Sequence, residues 1–141
     1  MSAKDIFHEA VKQALQKEQW VITDEPLDCE MDKVAKYREY IQTLLSSYAS
    51  EDVSDSEVEV QLIFDTQRDH YQWMNVGWRQ FNRIYQCVMH FDIKDGKIWL
   101  QQNLTEENPA EALVAMGVPK EDIVLGLHAP YKRQYTGYGV A

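Results

Sequence analysis

The sequence predicts an α+β protein in which a helix packs on a four-stranded antiparallel meander. Residues 57–103 contain four runs of alternating apolar and polar side chains separated by short polar turns, a pattern typical of consecutive antiparallel strands. Residues 32–48 repeat apolar side chains at helical spacing instead. Between the last two runs, Asp95-Gly96 is a favoured pair for a two-residue hairpin turn with positive φ values. Short helices and an extended C-terminal tail are expected after the sheet, and an extra helix before it.

The predicted strands follow one another with few intervening residues. They cover residues 57–65, 70–78, 83–93 and 97–103. In the first run the apolar side chains fall on one face and the polar ones mostly on the other, so one face should be buried. That apolar set is Val58, Val60, Leu62 and Phe64.

The third strand offers two apolar faces. One set is Tyr85, Cys87, Met89, Phe91 and Ile93, and the other joins Ile84 and Val88 with the polar His90 and Asp92. The first set contains more apolar surface. We therefore expect it to face the core.

Two helices are predicted ahead of the sheet. Residues 2–19 have helical apolar spacing, and Ser2 and Asp5 are spaced as a capping box. Pro26 then disfavours helix, so residues 24–30 are interpreted as a linker. The second helix, residues 32–48, has an apolar stripe that should pack on the meander, each fully buried side chain contributing about 2 kcal/mol. The stripe is Val34, Tyr37, Ile41, Leu44, Leu45 and Tyr48.

The segment after the sheet has its own start and stop signals. Asn108 is a favoured N-cap, Pro109 suits the first helical position and Gly117 suits the residue beyond the C-cap. A helix over residues 109–116 is therefore predicted. Pro119 should open a short helical turn, and residues 127–141 are expected to form an extended, aromatic tail.

Composition limits the classes of function. The formal net charge of −9 argues against general binding to a phosphate backbone, which needs a basic face. The chain has no apolar run long enough to cross a bilayer and no leader pattern, which predicts a cytoplasmic protein without membrane contact. Cys29 and Cys87 are expected to be free thiols, and two cysteines alone cannot make a zinc site.

Chemistry read from the motifs does not favour an enzyme. His90 and Asp92 should project from the same face of a strand, but a His-x-Asp pair without further ligands is weak evidence for a metal. His8, His70 and His128 are isolated in the sequence, and no phosphate-binding loop or nucleophile motif occurs. We therefore predict no catalytic residue, no metal ligand and no cofactor.

Two groups of aromatic and basic residues are candidates for partner binding. Aromatic and arginine side chains are enriched at protein interfaces, and interleaved bases and rings also occur on surfaces that bind single-stranded nucleic acid. Because the chain is acidic, a protein partner ranks above nucleic acid. The candidates are Trp78, Arg79 and Arg83 in one group, and Tyr131, Lys132, Arg133 and Tyr135 in the other.

Several long motifs, in order, resemble the XisI family, the fdxN-element excision controlling factors of cyanobacteria. The resemblance covers residues 31–141. Its motifs are residues 31–41, Glu59-Val-Gln-Leu-Ile-Phe-Asp-Thr-Gln-Arg-Asp-His-Tyr71, Val76-Gly-Trp78, His90-Phe-Asp-Ile-Lys-Asp-Gly-Lys-Ile-Trp99, residues 117–126 and Pro130-Tyr-Lys-Arg-Gln-Tyr-Thr-Gly137. The resemblance implies a helix on an antiparallel sheet and a non-enzymatic factor that controls excision of a DNA element by a separate site-specific recombinase.

The beginning of the chain is similar to a different protein. Residues 2–12 and 20–27 resemble the start of XisH, the companion of XisI, which has a nuclease-like fold. We therefore divide the chain into an XisH-like stub at 1–30, comprising a helix and a linker, and an XisI-like domain at 31–141. Glu9 on the stub cannot hold a catalytic metal alone.

The resemblance also implies partners. An XisH-like protein is the leading partner, a site-specific recombinase is another, and a homo-oligomer is expected. Two alternatives stay open. One is a direct DNA-binding recombination factor, and the other is an antitoxin-like inhibitor of an XisH-type nuclease.

Overall fold

The computed structural model describes residues 29–52 and 56–140. Helix α1 covers Cys29–Glu51 and precedes four long strands, β1 (Val58–Asp65), β2 (His70–Arg79), β3 (Asn82–Lys94) and β4 (Lys97–Asn103). Helix α2 (Pro109–Ala115), a 3-10 turn at Lys120–Asp122, strand β5 (Ile123–Val124) and helix α3 (Pro130–Arg133) follow. The predicted helix over residues 2–19 and most of the predicted linker at 24–30 lie outside the described residues. The last two residues of that linker, 29 and 30, belong to α1.

The sheet confirms the α+β prediction and adds a strand to it. Its order is β1-β2-β3-β4-β5, with antiparallel pairing from β1 to β4. The short β5 pairs in parallel with β4, which the sequence analysis did not predict. Asp95 and Gly96 have φ values of 52° and 73°, as the predicted hairpin turn requires.

Helix α1 covers one face of the sheet and forms the core with it. Its predicted apolar stripe is confirmed, because Tyr37, Ile41, Leu44, Leu45 and Tyr48 are buried and Val34 packs against them. The predicted core face of β1 is also confirmed, since Val58 is buried and Val60, Leu62 and Phe64 pack against the core. From the sheet and the C-terminal segment the core includes Tyr71, Trp73, Met89, Phe91, Ile98, Leu100, Leu113 and Ile123.

Two polar clamps hold α1 against its neighbours. Arg38 binds Asp69, in the turn between β1 and β2, through two hydrogen bonds of 2.7 and 3.2 Å. Tyr71 Oη donates a further bond of 3.0 Å to the same carboxylate. Paired, charge-assisted bonds of this kind fix orientation as well as adding energy.

The second clamp joins α1 to the 3-10 turn. Asp122 Oδ2 accepts a 2.6 Å bond from Tyr37 Oη and lies 2.8 Å from Lys33 Nζ. Burial alone raises the pKa of Asp122, but the bonds from Lys33 and Tyr37 outweigh it and leave that pKa below its ordinary value. Burial and the bond to Asp122 raise the pKa of Tyr37.

Helix α2 has the predicted caps. The Asn108 side chain accepts a hydrogen bond from the Glu111 backbone N–H, and Pro109 is the first helical residue. At the other end Gly117 has a φ of 109°, Gly117 N–H donates to Val114, and Val118 N–H donates to Leu113. These two bonds define a Schellman motif.

The face prediction for β3 holds only in its second half. Met89, Phe91 and Ile93 are buried in the core, whereas Tyr85 is 69% exposed and Cys87 lies on the opposite face. The cause is a β-bulge: Met74 pairs with Cys87 and Trp73 with Met89, which leaves Val88 as an extra residue. An extra residue in a strand reverses the face of the sheet on which every earlier side chain of that strand lies.

The tail is less extended than the sequence analysis predicts. Pro130–Arg133 forms one turn of helix, with Pro130 at its first position, and Gly139 forms an isolated bridge with Val124. The tail therefore returns to the edge of the sheet.

Within residues 29–52 and 56–140, no helix combines the length and apolar character that crossing a bilayer needs.

Candidate functional site

The face of the sheet opposite α1, here called the outer face, contains the candidates Trp78 and Arg83 as well as His90 and Asp92. Residues directly opposite each other in paired strands share a face. On this face Trp78 lies opposite Arg83, Val76 opposite Tyr85 and His70 opposite Asp92. The outer face therefore has an aromatic end near the β2–β3 turn and a polar end near the β3–β4 turn.

The aromatic end forms a surface that we call the hairpin patch, consisting of Trp78, Phe81, Arg83 and Tyr85. Phe81, in the two-residue turn, is 97% exposed, and Trp78 is 50% exposed. The Arg83 guanidinium lies 5.5 Å from the Trp78 ring centroid and donates to the Gly77 carbonyl. Arg79 ends β2 opposite Asn82, beside this patch.

The turn of the hairpin patch has an unfavourable backbone conformation. Gln80 has a φ of 58°, a region that residues other than glycine, asparagine and aspartate seldom adopt. Such local strain is frequent at functional sites. The turn presents Phe81 to solvent at the end of the hairpin.

The C-terminal candidates lie away from the hairpin patch, and one of them has a structural role. The Arg133 side chain donates to the His128 and Gly126 carbonyl oxygens at 3.1 and 3.4 Å and lies 5.1 Å from the Trp99 ring centroid. These contacts hold the tail on the outer face near β4, because Trp99 lies opposite Asp92. The other tail candidates, Tyr131, Lys132 and Tyr135, are exposed.

The structure does not join the two groups of candidates into one surface. Arg83 and Asp92 are nine residues apart on β3, or roughly 30 Å at about 3.3 Å per residue. Arg133 packs beside the Asp92 end through Trp99. The hairpin patch and the aromatic tail are therefore separate surfaces.

A polar cluster at the other end of the outer face contains His70, His90 and Asp92. Asp92 Oδ1 lies 2.7 Å from both His70 Nδ1 and His90 Nε2. Asp92 Oδ2 accepts a 3.1 Å bond from Gln101 Nε2. The side chain of Asp92 is almost fully buried, that of His90 is about a quarter exposed and that of His70 is about half exposed.

The hydrogen bonds of this cluster control the charge of its carboxylate. Burial alone raises the pKa of Asp92, but the bonds from His70, His90 and Gln101 outweigh it, so that pKa lies below its ordinary value. Asp92 is thus an anion at neutral pH, held by three side chains. Chemically, two imidazoles and one carboxylate form a donor set for transition metals.

The prediction that His70 is isolated is wrong, because its Nδ1 lies 2.7 Å from Asp92 Oδ1. A regular pairing from Arg79 and Asn82 would place His70 opposite Phe91 and put Asp92 on the other face of the sheet. The extra residue Val88 moves His70 opposite Asp92 instead. Only the same-face pair of His90 and Asp92 could be expected from spacing.

Comparison with known proteins identifies relatives of the same architecture. The family model described as XisI protein matches residues 31–140. A crystal structure of an XisI-like protein from Anabaena variabilis is 76% identical, with a TM-score of 0.74, and the match covers 76% of this chain and 98% of that one. A crystal structure of the fdxN element excision controlling factor XisI from the same organism is 34% identical, with a TM-score of 0.69 and coverage of 77% and 99%. The comparison with curated proteins gives no match.

The fold and the outer face define a small α+β protein with one helix on a mostly antiparallel sheet and an aromatic hairpin presented to solvent. The family model covers most of the chain, and both solved relatives share its fold. The chain belongs to the XisI family.

Proposed function

We propose that this chain is a non-enzymatic accessory factor that controls excision of a DNA element by a separate site-specific recombinase. The support is membership of the XisI family together with the description of a 34% identical relative as an fdxN element excision controlling factor. That description refers to control of excision rather than to its catalysis. A controlling factor that is not itself the recombinase acts through contacts with other macromolecules.

The observation that supports protein contacts is the hairpin patch. Trp78, Phe81 and Tyr85 all expose large parts of their rings, and Arg83 lies over Trp78. Tryptophan, tyrosine and arginine are the residues most enriched among those that dominate binding energy. The turn at Gln80 places Phe81 at the tip of the hairpin, where its ring is 97% exposed and open to a groove on a partner.

A protein is a better occupant of this patch than DNA. Three of its four residues are aromatic and only Arg83 is charged, and the whole chain has a formal net charge of −9. Binding to duplex DNA relies on many phosphate contacts from lysine and arginine. We therefore assign the patch to a protein partner with an apolar groove, and the XisH-like companion is the leading candidate.

Light scattering on size-exclusion peaks tests this proposal. The full-length chain and a chain starting at Met31 are analysed alone and mixed with an intact XisH-like protein. We expect a mixed complex that is lost when Trp78→Ala and Phe81→Ser are combined. Leu104→Ala is the matched control, because Leu104 is 57% exposed outside the patch.

Each other outcome contradicts a stated part of the proposal. A complex that survives the double substitution would move the contact away from the hairpin patch. If the chain alone is a dimer that the double substitution converts to a monomer, the patch is a contact between copies. Absence of any complex would reject the companion as partner and favour the recombinase.

A further inference from the structure

We propose that His70, His90 and Asp92 form a binding site for one divalent transition-metal cation, with Zn²⁺ as the best-suited ion. The inference rests on the geometry of the polar end of the outer face and is independent of the proposed regulatory function. Ligand atoms from all three side chains lie within 4.8 Å of one another. Within residues 29–52 and 56–140 no other group of histidine, cysteine and acidic side chains has this property.

Two irregularities in the sheet assemble the donor set. The bulge at Val88 places His70 opposite Asp92, as described above. A second shift lies between β3 and β4, where His90 pairs with Gln102 and Phe91 with Leu100. The extra residue there is Gln101, whose amide holds the second oxygen of Asp92. Bulges re-aim side chains next to functional sites. Here the first bulge sets the register that brings His70 to Asp92, and the second places Gln101 against the same carboxylate.

The spacing of the donors fits a zinc ion. Zn–N and Zn–O bonds of about 2.0–2.2 Å place neighbouring ligand atoms of a tetrahedral site roughly 3.4 Å apart. In the structure both imidazole nitrogens lie 2.7 Å from Asp92 Oδ1, and all three donors lie within 4.8 Å of one another. Rotation of the His70 ring, whose side chain is about half exposed, would lengthen the 2.7 Å contact toward the spacing of a zinc site.

Charge and burial also fit a cation. The Asp92 carboxylate is a negative charge on a nearly buried side chain, which a divalent ion complements. On metal binding the single proton of each neutral imidazole moves through solvent from the coordinating nitrogen to the other ring nitrogen. The coordinating nitrogen then offers a free lone pair to the metal, and no net proton is released. The other nitrogen of His90, Nδ1, lies 3.5 Å from the Gln72 amide nitrogen. With the metal on Nε2 this Nδ1 carries the ring proton, and a flip of the Gln72 amide would present its oxygen as the acceptor that orients a metal-bound histidine.

The donor types select the class of metal. Imidazole nitrogen suits Zn²⁺, Co²⁺, Ni²⁺ and Fe²⁺, whereas Mg²⁺ and Ca²⁺ prefer sites made entirely of oxygen. Solvent reaches the site beside His70, whose side chain is about half exposed. Water can therefore complete the coordination. The ion would join β2 to β3 on the outer face.

The test uses the full-length chain, freed of metal with a chelator. Co²⁺ is titrated while its visible d–d absorption is recorded, and Zn²⁺ is titrated by calorimetry. We expect one ion per chain and affinity that rises with pH, because the imidazoles must be unprotonated to bind. His70→Ala should weaken binding at least tenfold. Thermal unfolding with Zn²⁺ should show a rise in Tm for the wild type that His70→Ala abolishes.

Two variants make the result specific. His128→Ala is the matched control, since His128 is exposed and outside the cluster, and it should bind as the wild type does. His70→Ala should stay folded because the ring is only half buried, and its circular dichroism spectrum checks this. Absence of stoichiometric binding overturns the proposal. Equal affinity of folded His70→Ala and wild type also overturns it, because the ion then binds elsewhere.

Discussion

Arg38 on helix α1 donates two hydrogen bonds to Asp69 in the β1–β2 turn, and the shorter of them is 2.7 Å long. Asp69 has a φ of 62° and also accepts from Tyr71. This contact fixes the helix at the end of the sheet where His70 begins β2. The orientation of α1 and the start of β2 are therefore coupled through one carboxylate.

Arg38→Ala should lower the free energy of unfolding by about 1 kcal/mol, a value discounted for partial exposure of the pair. Urea unfolding followed by circular dichroism measures the change. Arg68→Ala is the control, because its pair with Asp65 is longer at 3.4 Å and its side chain is 77% exposed. The control should change stability by less than about 0.5 kcal/mol. Equal losses in both variants would show that the clamp has no special role.

Gly77 should not tolerate a side chain. A Cβ there would lie 2.1 Å from the Glu57 carbonyl oxygen and 2.8 Å from the Val58 Cα, both of which are backbone atoms. Gly77→Ala must therefore push β1 away from β2, at a cost of about 1–3 kcal/mol. Thermal unfolding measures this, with the exposed Glu59→Ala as control. An unchanged Tm for Gly77→Ala would contradict the close strand approach.

The bulge at Val88 predicts opposite responses from two residues of β3. Met89→Ala removes a fully buried side chain and should cost about 2–5 kcal/mol. Tyr85→Thr changes an exposed residue of the outer face and should cost less than about 1 kcal/mol. Chemical denaturation of the two variants makes the comparison. A larger loss from Tyr85→Thr would mean that Tyr85 faces the core, as a regular strand predicts.

Stability should depend on pH through Asp122. Its pKa is below the ordinary value in the folded chain because the bonds from Lys33 and Tyr37 outweigh burial. The stabilisation is complete above the ordinary carboxyl pKa of about 4 and is lost as pH falls through the lowered folded value. The difference in unfolding free energy between wild type and Asp122→Asn should therefore shrink from about pH 6 to about pH 3. A difference that stays constant across this range would contradict the assignment.

Local signals in the sequence predicted local structure well. The Asp95-Gly96 turn, the Asn108 cap and the Gly117 stop depend on neighbouring residues alone, and all three are present. The apolar stripe of α1 is predictable for the same reason, since helical spacing is independent of the partner. Each of these elements has its cause within a few residues of itself.

Pairing between strands was less predictable. The sequence contains no local sign of the extra residue Val88, because a bulge arises from the register of two strands rather than from one of them. That single residue reverses the face of Tyr85 and creates the contact between His70 and Asp92. The short parallel strand β5 depends in the same way on distant residues of β4. The triad of His70, His90 and Asp92 could therefore be found only from the fold.

Binding of a protein partner to the hairpin patch is best tested by measuring affinity. The dissociation constant for an XisH-like companion is measured by calorimetry for the wild type, Trp78→Ala and Leu104→Ala. We expect at least a tenfold weaker complex for Trp78→Ala, as for a residue that dominates binding energy, and an unchanged dissociation constant for Leu104→Ala. Equal affinities for all three proteins would contradict it.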